Sequence, residues 1–237
     1  MSRRCAIGVM AKAPAAGQTK TRLTPPLSPA QAAALSLAFI IDVTHNIAAA
    51  ATQVPVDGWV AYAPAGTGHA FDGWLAPGTR LILADGALNL PPRIEGIGRS
   101  LLHATRGLLA RGYHAVCLVN GDSPTLPTAS LVAAVSLLME DPRQIVLGPA
   151  EDGGYYLIGM TAPYPAVFQD IEWSTSVVAA QTRARAVAAG LRVAELPPWY
   201  DVDSPALLDR LVAELEHPGP GYPAPATTAC LPRLLVK

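Results

Sequence analysis

The chain has 237 residues, 51% of them hydrophobic and only 15% charged, which excludes disorder over most of its length. Its formal net charge of −1 supplies no global field for nucleic acid or an anionic membrane, so any anion must be held by local clusters. The length suits one domain of repeated β-α units, able to bury about 70% of its unfolded surface without covalent staples.

Met1 to Lys12 begins with basic residues ahead of an apolar stretch, but Lys12 cuts that stretch too early for a signal sequence. Cys5 to Met10 is therefore a first, buried strand. The loop Ala11 to Pro26 follows, with Pro14, Gly17, Pro25 and Pro26. Ser28-Pro29 supplies an N-cap and a proline at the first helical position, opening an Ala- and Leu-rich helix to about Ala51. Val56 to Tyr62 and Arg80 to Leu83 are the second and third strands. Gly98 to Arg111 has helical periodicity and stops at Gly112. Ala115 to Val119 has no polar residue but Cys117, which predicts a central strand covered on both faces.

Thr128 to Glu140 is the next helix, Ile145 to Leu147 the next strand, and Tyr155 to Met160 a further strand after a Gly-Gly turn. Ser174 is expected to cap a helix from Thr175 to Ala189, ended by Gly190. Leu191 to Leu196 is strand-like, and Ser204-Pro205 opens a last helix to Glu216. Residues 217–237 are rich in Pro and Gly without periodic signal, and are expected to form a loosely attached tail. Asp42 and several Ser and Thr interrupt the apolar helices, so none is expected to reach the roughly 20 residues that span a bilayer. Cys5, Cys117 and Cys230 form no CxxC pair; Cys5 and Cys117 read as buried, reduced thiols in a cytoplasmic protein.

Strand and helix alternate, so the expected class is α/β with a mostly parallel sheet, and ligands belong outside the carboxyl ends of its strands. Three loops at such ends carry chemistry. The first, Met10 to Leu23, holds Lys12, Lys20 and Arg22, cations able to grip phosphate, with Gly17 letting backbone approach a ligand; the alternative is a solvated basic turn. It lacks the second glycine of a P-loop. The second, Val119 to Pro127, places Asp122 after the most buried-looking strand. A carboxylate there suits Mg²⁺, which takes one or two carboxylates plus phosphate oxygens and water, or else makes a simple Asx turn.

Gly121-Asp-Ser-Pro-Thr125 also has a faint likeness to a hydrolase nucleophile elbow, without its final glycine or a histidine in order. The third loop, Gly148 to Tyr156, puts Glu151-Asp152 before Gly153-Gly154. Asp152 could bind a second substrate or act as base, or the segment could be a plain β-turn. Asp203, before Ser204-Pro205, reads by position as a helix-capping carboxylate. The five histidines have no ligand spacing, which argues against a zinc enzyme.

Together these segments carry a resemblance. Ala11-Lys-Ala-Pro14 with Gly17, Lys20-Thr-Arg-Leu23, Gly121-Asp-Ser-Pro-Thr-Leu-Pro127, Leu147 to Leu157, Trp173-Ser-Thr175 and Leu196 to Asp203 resemble the bacterial DUF2064 glycosyltransferase-like proteins. These are relatives of the guanylyltransferases of coenzyme F420 and molybdenum-cofactor assembly. The likeness covers about residues 5 to 215. It implies a GT-A fold of the nucleotide-diphospho-sugar transferase type, a three-layer α/β/α sandwich over residues 1–216.

The resemblance further implies that Lys12, Lys20 and Arg22 wrap nucleotide phosphates and that Asp122 holds a Mg²⁺ or Mn²⁺ ion. Asp203-Ser-Pro205 matches the place of an Asp-Thr-Pro that gives a second metal carboxylate in related synthetases. Departures are Ala16 for a second proline, Gln18 for a basic residue, and Gly96 to Ser100, which lacks the acid and arginine of Asp-Leu-Gly-x-Arg. The expected function is a metal-dependent transferase in which Asp122 and Asp203 hold the metal, Lys20 and Arg22 stabilise the leaving phosphates, and Asp152 positions a small-molecule acceptor. Nucleotidyl transfer from a nucleoside triphosphate is slightly favoured over glycosyl transfer from a nucleotide sugar, with a non-catalytic nucleotide-binding protein as third reading. No nucleic-acid partner and no membrane span are expected.

Overall fold

The structure is a computed structural model describing residues 3–217 and 219–234. Met1 and Ser2 of the basic start, and Pro218 and residues 235–237 of the C-terminal segment, lie outside the described residues. Among the described residues seven strands form one sheet in the order β3-β2-β1-β4-β6-β5-β7. They are β1 (Cys5–Lys12), β2 (Val56–Ala63), β3 (Arg80–Leu83), β4 (Ala115–Asn120), β5 (Gln144–Pro149), β6 (Tyr155–Met160) and β7 (Arg192–Glu195). All neighbours pair in parallel except β6, which runs antiparallel to both β4 and β5. The mostly parallel α/β sandwich expected from the alternation is the observed architecture.

The antiparallel strand follows from local chemistry. Gly153 has φ +91 and lets the chain reverse between β5 and β6; a Cβ there would lie 2.1 Å from the Ser176 carbonyl oxygen, so a side chain is excluded on two counts. Because β6 returns beside β4, with Val119 opposite Leu157, this hairpin turn stands at the same sheet edge as the loop carrying Asp122.

Among the described residues six α-helices flank the sheet: α1 (Pro29–Ala50), α2 (Gly96–Leu109), α3 (Thr128–Glu140), α4 (Val178–Ala188), α5 (Pro205–Glu216) and α6 (Pro225–Leu234). Alternation along the strands sorts residues onto the two faces. Ile7, Val9 and Cys117 pack with Ile40 and Ile47 of α1 and Leu131 of α3, whereas Ala6, Val116 and Leu118 pack with Leu102 and Leu108 of α2. Ser28 caps α1 in a reciprocal capping box with Gln31.

α1 is 22 residues long with a mean hydropathy of 1.5 over its most apolar window, so by length and composition it does pass the test for a membrane span. The expectation that no segment would do so is corrected. Its apolar surface is used in packing, with 61% of that window buried, and it carries the buried polar residues Asp42 and Asn46.

Two further expectations are corrected. Helix α4 starts at Val178, and Ser174 does not cap it; Ser174 has φ +64 in a preceding turn. That turn is drawn over Gly153, whose carbonyl accepts the Ala179 N–H at 2.9 Å, so the helix begins later. Nor is the C-terminal segment loose over residues 225–234. Helix α6 joins Leu231 to Leu35 and Phe39 of α1 and Leu208 of α5 in a third apolar cluster. The buried Asp42 carboxylate accepts the Ala226 and Thr227 N–H groups at 2.9 and 2.7 Å, capping α6 from a helix about 180 residues earlier in the chain.

Candidate active site

The chemistry-bearing loops meet where the carboxyl ends of β1 and β4 adjoin. Lys20 sits after β1 with φ 51 and ψ 37, a left-handed conformation that costs a non-glycine residue roughly 1 kcal/mol. That backbone turn aims the side chain inward, and only 4% of it is exposed. Its ammonium donates to the Val202 carbonyl at 2.7 Å. It also pairs with Asp122 Oδ1 at 2.7 Å and Asp203 Oδ1 at 2.6 Å, and lies 5.5 Å from the Phe39 ring centroid. Burial by itself would lower the Lys20 pKa, but the two carboxylates overcome it and hold the ammonium above its ordinary value.

Asp122 and Asp203 come together through backbone. The Val202 N–H donates to the Asp122 carbonyl at 2.9 Å, and the Ser123 hydroxyl donates to the Tyr200 carbonyl at 2.8 Å. Asn46 of α1 secures the other end of this loop, donating to the Leu126 carbonyl and accepting from Thr128. An Asx turn is present, but Asn120 makes it, accepting the Asp122 N–H at 3.4 Å. The Asp122 carboxylate is left for the cleft. Ser123 is 1% exposed, so the hydrolase-elbow reading has no accessible nucleophile. Ser204 caps α5, and Asp203 is the cluster member just before it.

Two cavities adjoin at this point. One, of about 250 Å³, is bordered by Lys12, Gln18, Lys20, Arg22, Asp122 and Asp203. The other, of about 440 Å³, is bordered among others by Asp152, Tyr155, Trp173, Thr175, Asp201 and Asp203. Arg22 and Asp203 border both. Lys12 donates to the Gln18 carbonyl at 3.1 Å, folding the opening loop back on the end of β1. Gly17 has φ +74 and serves the turn; it is not among the residues bordering the first cavity.

The acidic pair divides. Glu151 is bound bidentately by Arg210 at 2.6 and 3.0 Å, and that guanidinium lies 3.9 Å from the Tyr200 ring centroid. Asp152 accepts the Gly154 N–H at 2.8 Å, as a plain turn requires, while also bordering the larger cavity. The β-turn is the observed structure, and the position of Asp152 at the cavity is what a ligand role would build on.

Asp201 is a site residue to which the sequence reading assigned no role. Burial first, then the nearby Asp203, Asp152 and Asp122, push its carboxyl up to about 7, with Lys20 opposing. The signal was available: Asp201 and Asp203 are two apart in an extended segment and so share a side. Folding raises this pKa, so its contribution to stability is fully present below the usual carboxylate range near 4 and is lost as pH rises through about 7. Asp201→Asn is expected to flatten that fall in stability, measured as urea midpoints of the metal-free protein from pH 4 to 8. An unchanged profile would place the titration elsewhere.

Among the described residues no three His, Cys, Asp or Glu side chains converge as a metal-binding group. Two carboxylates that share one cation and are each more than a third exposed nevertheless fit a hard divalent ion that keeps water and phosphate oxygens in its shell. Asp122 and Asp203 are the residues that would hold it.

A mostly parallel sheet between two helical layers, with an antiparallel strand beside the central one and the acidic loops at its mouth, is the GT-A-like fold of nucleotide-diphospho-sugar transferases. Residues 46–175 match the family described as "Uncharacterized protein conserved in bacteria (DUF2064)". That is more than half of the chain, and the chain belongs to this family. A crystal structure from Desulfovibrio desulfuricans G20, assigned by inference as a nucleotide-diphospho-sugar transferase, is 29% identical. It superposes with a TM-score of 0.82 over 98% of this chain and 95% of that one.

More distant likenesses show the fold alone. CMP:2-keto-3-deoxy-manno-octonic acid synthetase complexed with CTP is 14% identical, with a TM-score of 0.52 over 91% of this chain and 99% of that one. Glucosyl-3-phosphoglycerate synthase of Mycobacterium tuberculosis, in complex with Mn²⁺, UDP and glucosyl-3-phosphoglycerate, is 15% identical. Its TM-score is 0.51 over 99% of this chain and 81% of that one. No curated protein matches the sequence.

Proposed function

We propose that the protein is a divalent-metal-dependent transferase that takes a nucleoside triphosphate as donor and passes its nucleotidyl group to a small-molecule acceptor. The observation that carries this reading is the Lys20 ammonium shared by Asp122 and Asp203 at the junction of two cavities. One ammonium shared by two carboxylates leaves that cluster with an excess negative charge of its own, which suits a divalent cation. Mg²⁺ or Mn²⁺ held by Asp122 and Asp203 would balance that charge and neutralise the donor phosphates. The smaller cavity, bordered by Lys12, Lys20 and Arg22, takes the phosphates. Lys20 and Arg22 stabilise the charge that develops on the leaving phosphates; at 4 Å each unit charge is worth roughly 4 kcal/mol at an effective dielectric near 20. The larger cavity takes the acceptor, which Asp152 orients.

Glycosyl transfer from a nucleotide sugar is a second reading, supported by the aromatic and hydroxyl-bearing border of the larger cavity. A nucleotide-binding protein without catalysis is the third, motivated by the altered Gly96 to Ser100 segment. One experiment separates them. With Mg²⁺ and the right nucleotide at 100 times its dissociation constant, stability is expected to rise by about 2.7 kcal/mol, roughly 5–10 °C in Tm. Pyrophosphate release during turnover supports nucleotidyl transfer and nucleoside diphosphate release supports glycosyl transfer. Stabilisation without turnover for any acceptor supports the binding protein, and no stabilisation by any nucleotide or nucleotide sugar sinks all three.

A further inference from the structure

We propose that the larger cavity accepts an uncharged or amine-bearing polyol with an apolar ring face, and discriminates against phosphorylated or carboxylated acceptors. This deepens, and rests on, the reading of that cavity as the acceptor side of a transferase.

The charges bordering the cavity carry the argument. Asp152, Asp201 and Asp203 all border it, against Arg22 as the single cation among the described residues. Arg22 also borders the phosphate side, where a donor triphosphate competes for it. Asp203 is paired with Lys20, but Asp152 and Asp201 bring no positive charge in either protonation state. The nearest guanidinium on α2 is turned away: Arg99 donates to the Gly86 and Leu88 carbonyls at 3.0 and 2.9 Å. A metal held by Asp122 and Asp203, like Lys20, would be engaged by the donor phosphates, so an anionic group on the acceptor meets Asp152, Asp201 and the triphosphate itself without a free cation, a penalty of roughly tenfold or more in affinity even after partial screening.

Much of the remaining wall is aromatic or aliphatic. The Trp173 indole lies on the start of α2, where a Cβ at Gly98 would stand 2.7 Å from its Cζ2 atom. Tyr155 meets Trp173 edge-on, ring centroids 6.4 Å apart at 76°. Ile97, half exposed, borders the same cavity. A fixed aromatic surface facing acceptor oxygens of Asp152 and hydroxyls of Ser174 and Thr175 matches a ring that is apolar on one face and hydroxylated at its edge. In the transfer, the acceptor hydroxyl oxygen bonds to the α-phosphorus as the bond from that phosphorus to the bridging oxygen of the β-phosphate breaks. Pyrophosphate departs with the electron pair, and the hydroxyl proton passes to the Asp152 carboxylate and then to water.

The test uses the full chain with Mg²⁺ and the stabilising nucleoside triphosphate, challenged with matched probes. These are myo-inositol against inositol 1-phosphate, and glucosamine against glucosamine 6-phosphate. Binding is read as a further thermal shift of the nucleotide complex, and transfer as pyrophosphate release with mass detection of the nucleotidylated product. The unphosphorylated members are expected to be preferred at least tenfold. Asp152→Asn keeps the oxygen that accepts the Gly154 N–H; it is expected to narrow the preference in binding about tenfold and to lower transfer to every probe, without altering the shift caused by nucleotide alone. Preference for the phosphorylated members overturns the acceptor class. So does nucleotide stabilisation with neither binding nor transfer for any unphosphorylated probe, which leaves the donor reading standing. Absence of any nucleotide-dependent shift overturns the donor reading and the acceptor class together.

Discussion

Replacing Asp122 by asparagine is expected to lower metal-dependent turnover by about 10²–10³-fold, the scale on which removal of a preorganised transition-state contact acts. The fold should survive. Asparagine has nearly the same shape, and Lys20 keeps Asp203 at 2.6 Å and the Val202 carbonyl at 2.7 Å, so its buried ammonium is not left without a partner. A thermal melt within about 1 kcal/mol of the wild type, together with weakened Mn²⁺ affinity in the presence of nucleotide, would locate the loss in metal binding. Undiminished turnover would remove Asp122 from the mechanism.

Lys20→Met acts on the other half of the cluster and should cost stability as well as function. Deleting one member of a buried pair is worth about 3–5 kcal/mol. Here both carboxylates are more than a third exposed and can hydrate, so about 1–3 kcal/mol is expected. Nucleotide affinity should fall by about 10²-fold, because a cation facing the phosphates is gone. The two signatures are separable. Mg²⁺ alone should restore more Tm to the variant than it adds to the wild type, since it can satisfy the two aspartates that lost their ammonium. Lys20→Gly should be no less stable than Lys20→Ala, since both remove the side chain and only glycine accepts φ 51 without strain. Equal stability of the two variants would show that the backbone conformation contributes little. A wild-type response to Mg²⁺ in both would detach the two aspartates from metal binding.

Much of the fold was legible in short-range pattern. Ser28-Pro29 and Ser204-Pro205 marked two helix starts because a capping hydroxyl and a proline act on their own neighbours. The runs at Cys5, Val56 and Ala115 marked strands because both faces of a central parallel strand are covered. Ser174 misled for the complementary reason: its signal was local, but its conformation answers to the distant turn at Gly153. The segment after His217 misled because α6 has little pattern of its own. Its docking depends on Asp42 and on the apolar surface of α1 and α5.

The candidate site divides in the same way. Lys12, Lys20, Arg22, Asp122 and Asp152 stood out because charged residues in glycine- and proline-bearing loops after buried strands have few structural duties, whereas Asp203 read by position as a helix cap and stood out only through the family resemblance. Residue type and loop position, which the amino-acid sequence alone determines, also set the α/β class and the sheet edge at which a ligand belongs. Only the tertiary structure decided that one buried ammonium serves both Asp122 and Asp203, that Glu151 pairs with Arg210 while Asp152 borders the cavity, and that burial, with neighbouring carboxylates, pushes the Asp201 carboxyl up to about 7. These relations join residues up to about 180 positions apart. Their energies depend on distance, burial and the company of other charges, which arise only when the chain is packed.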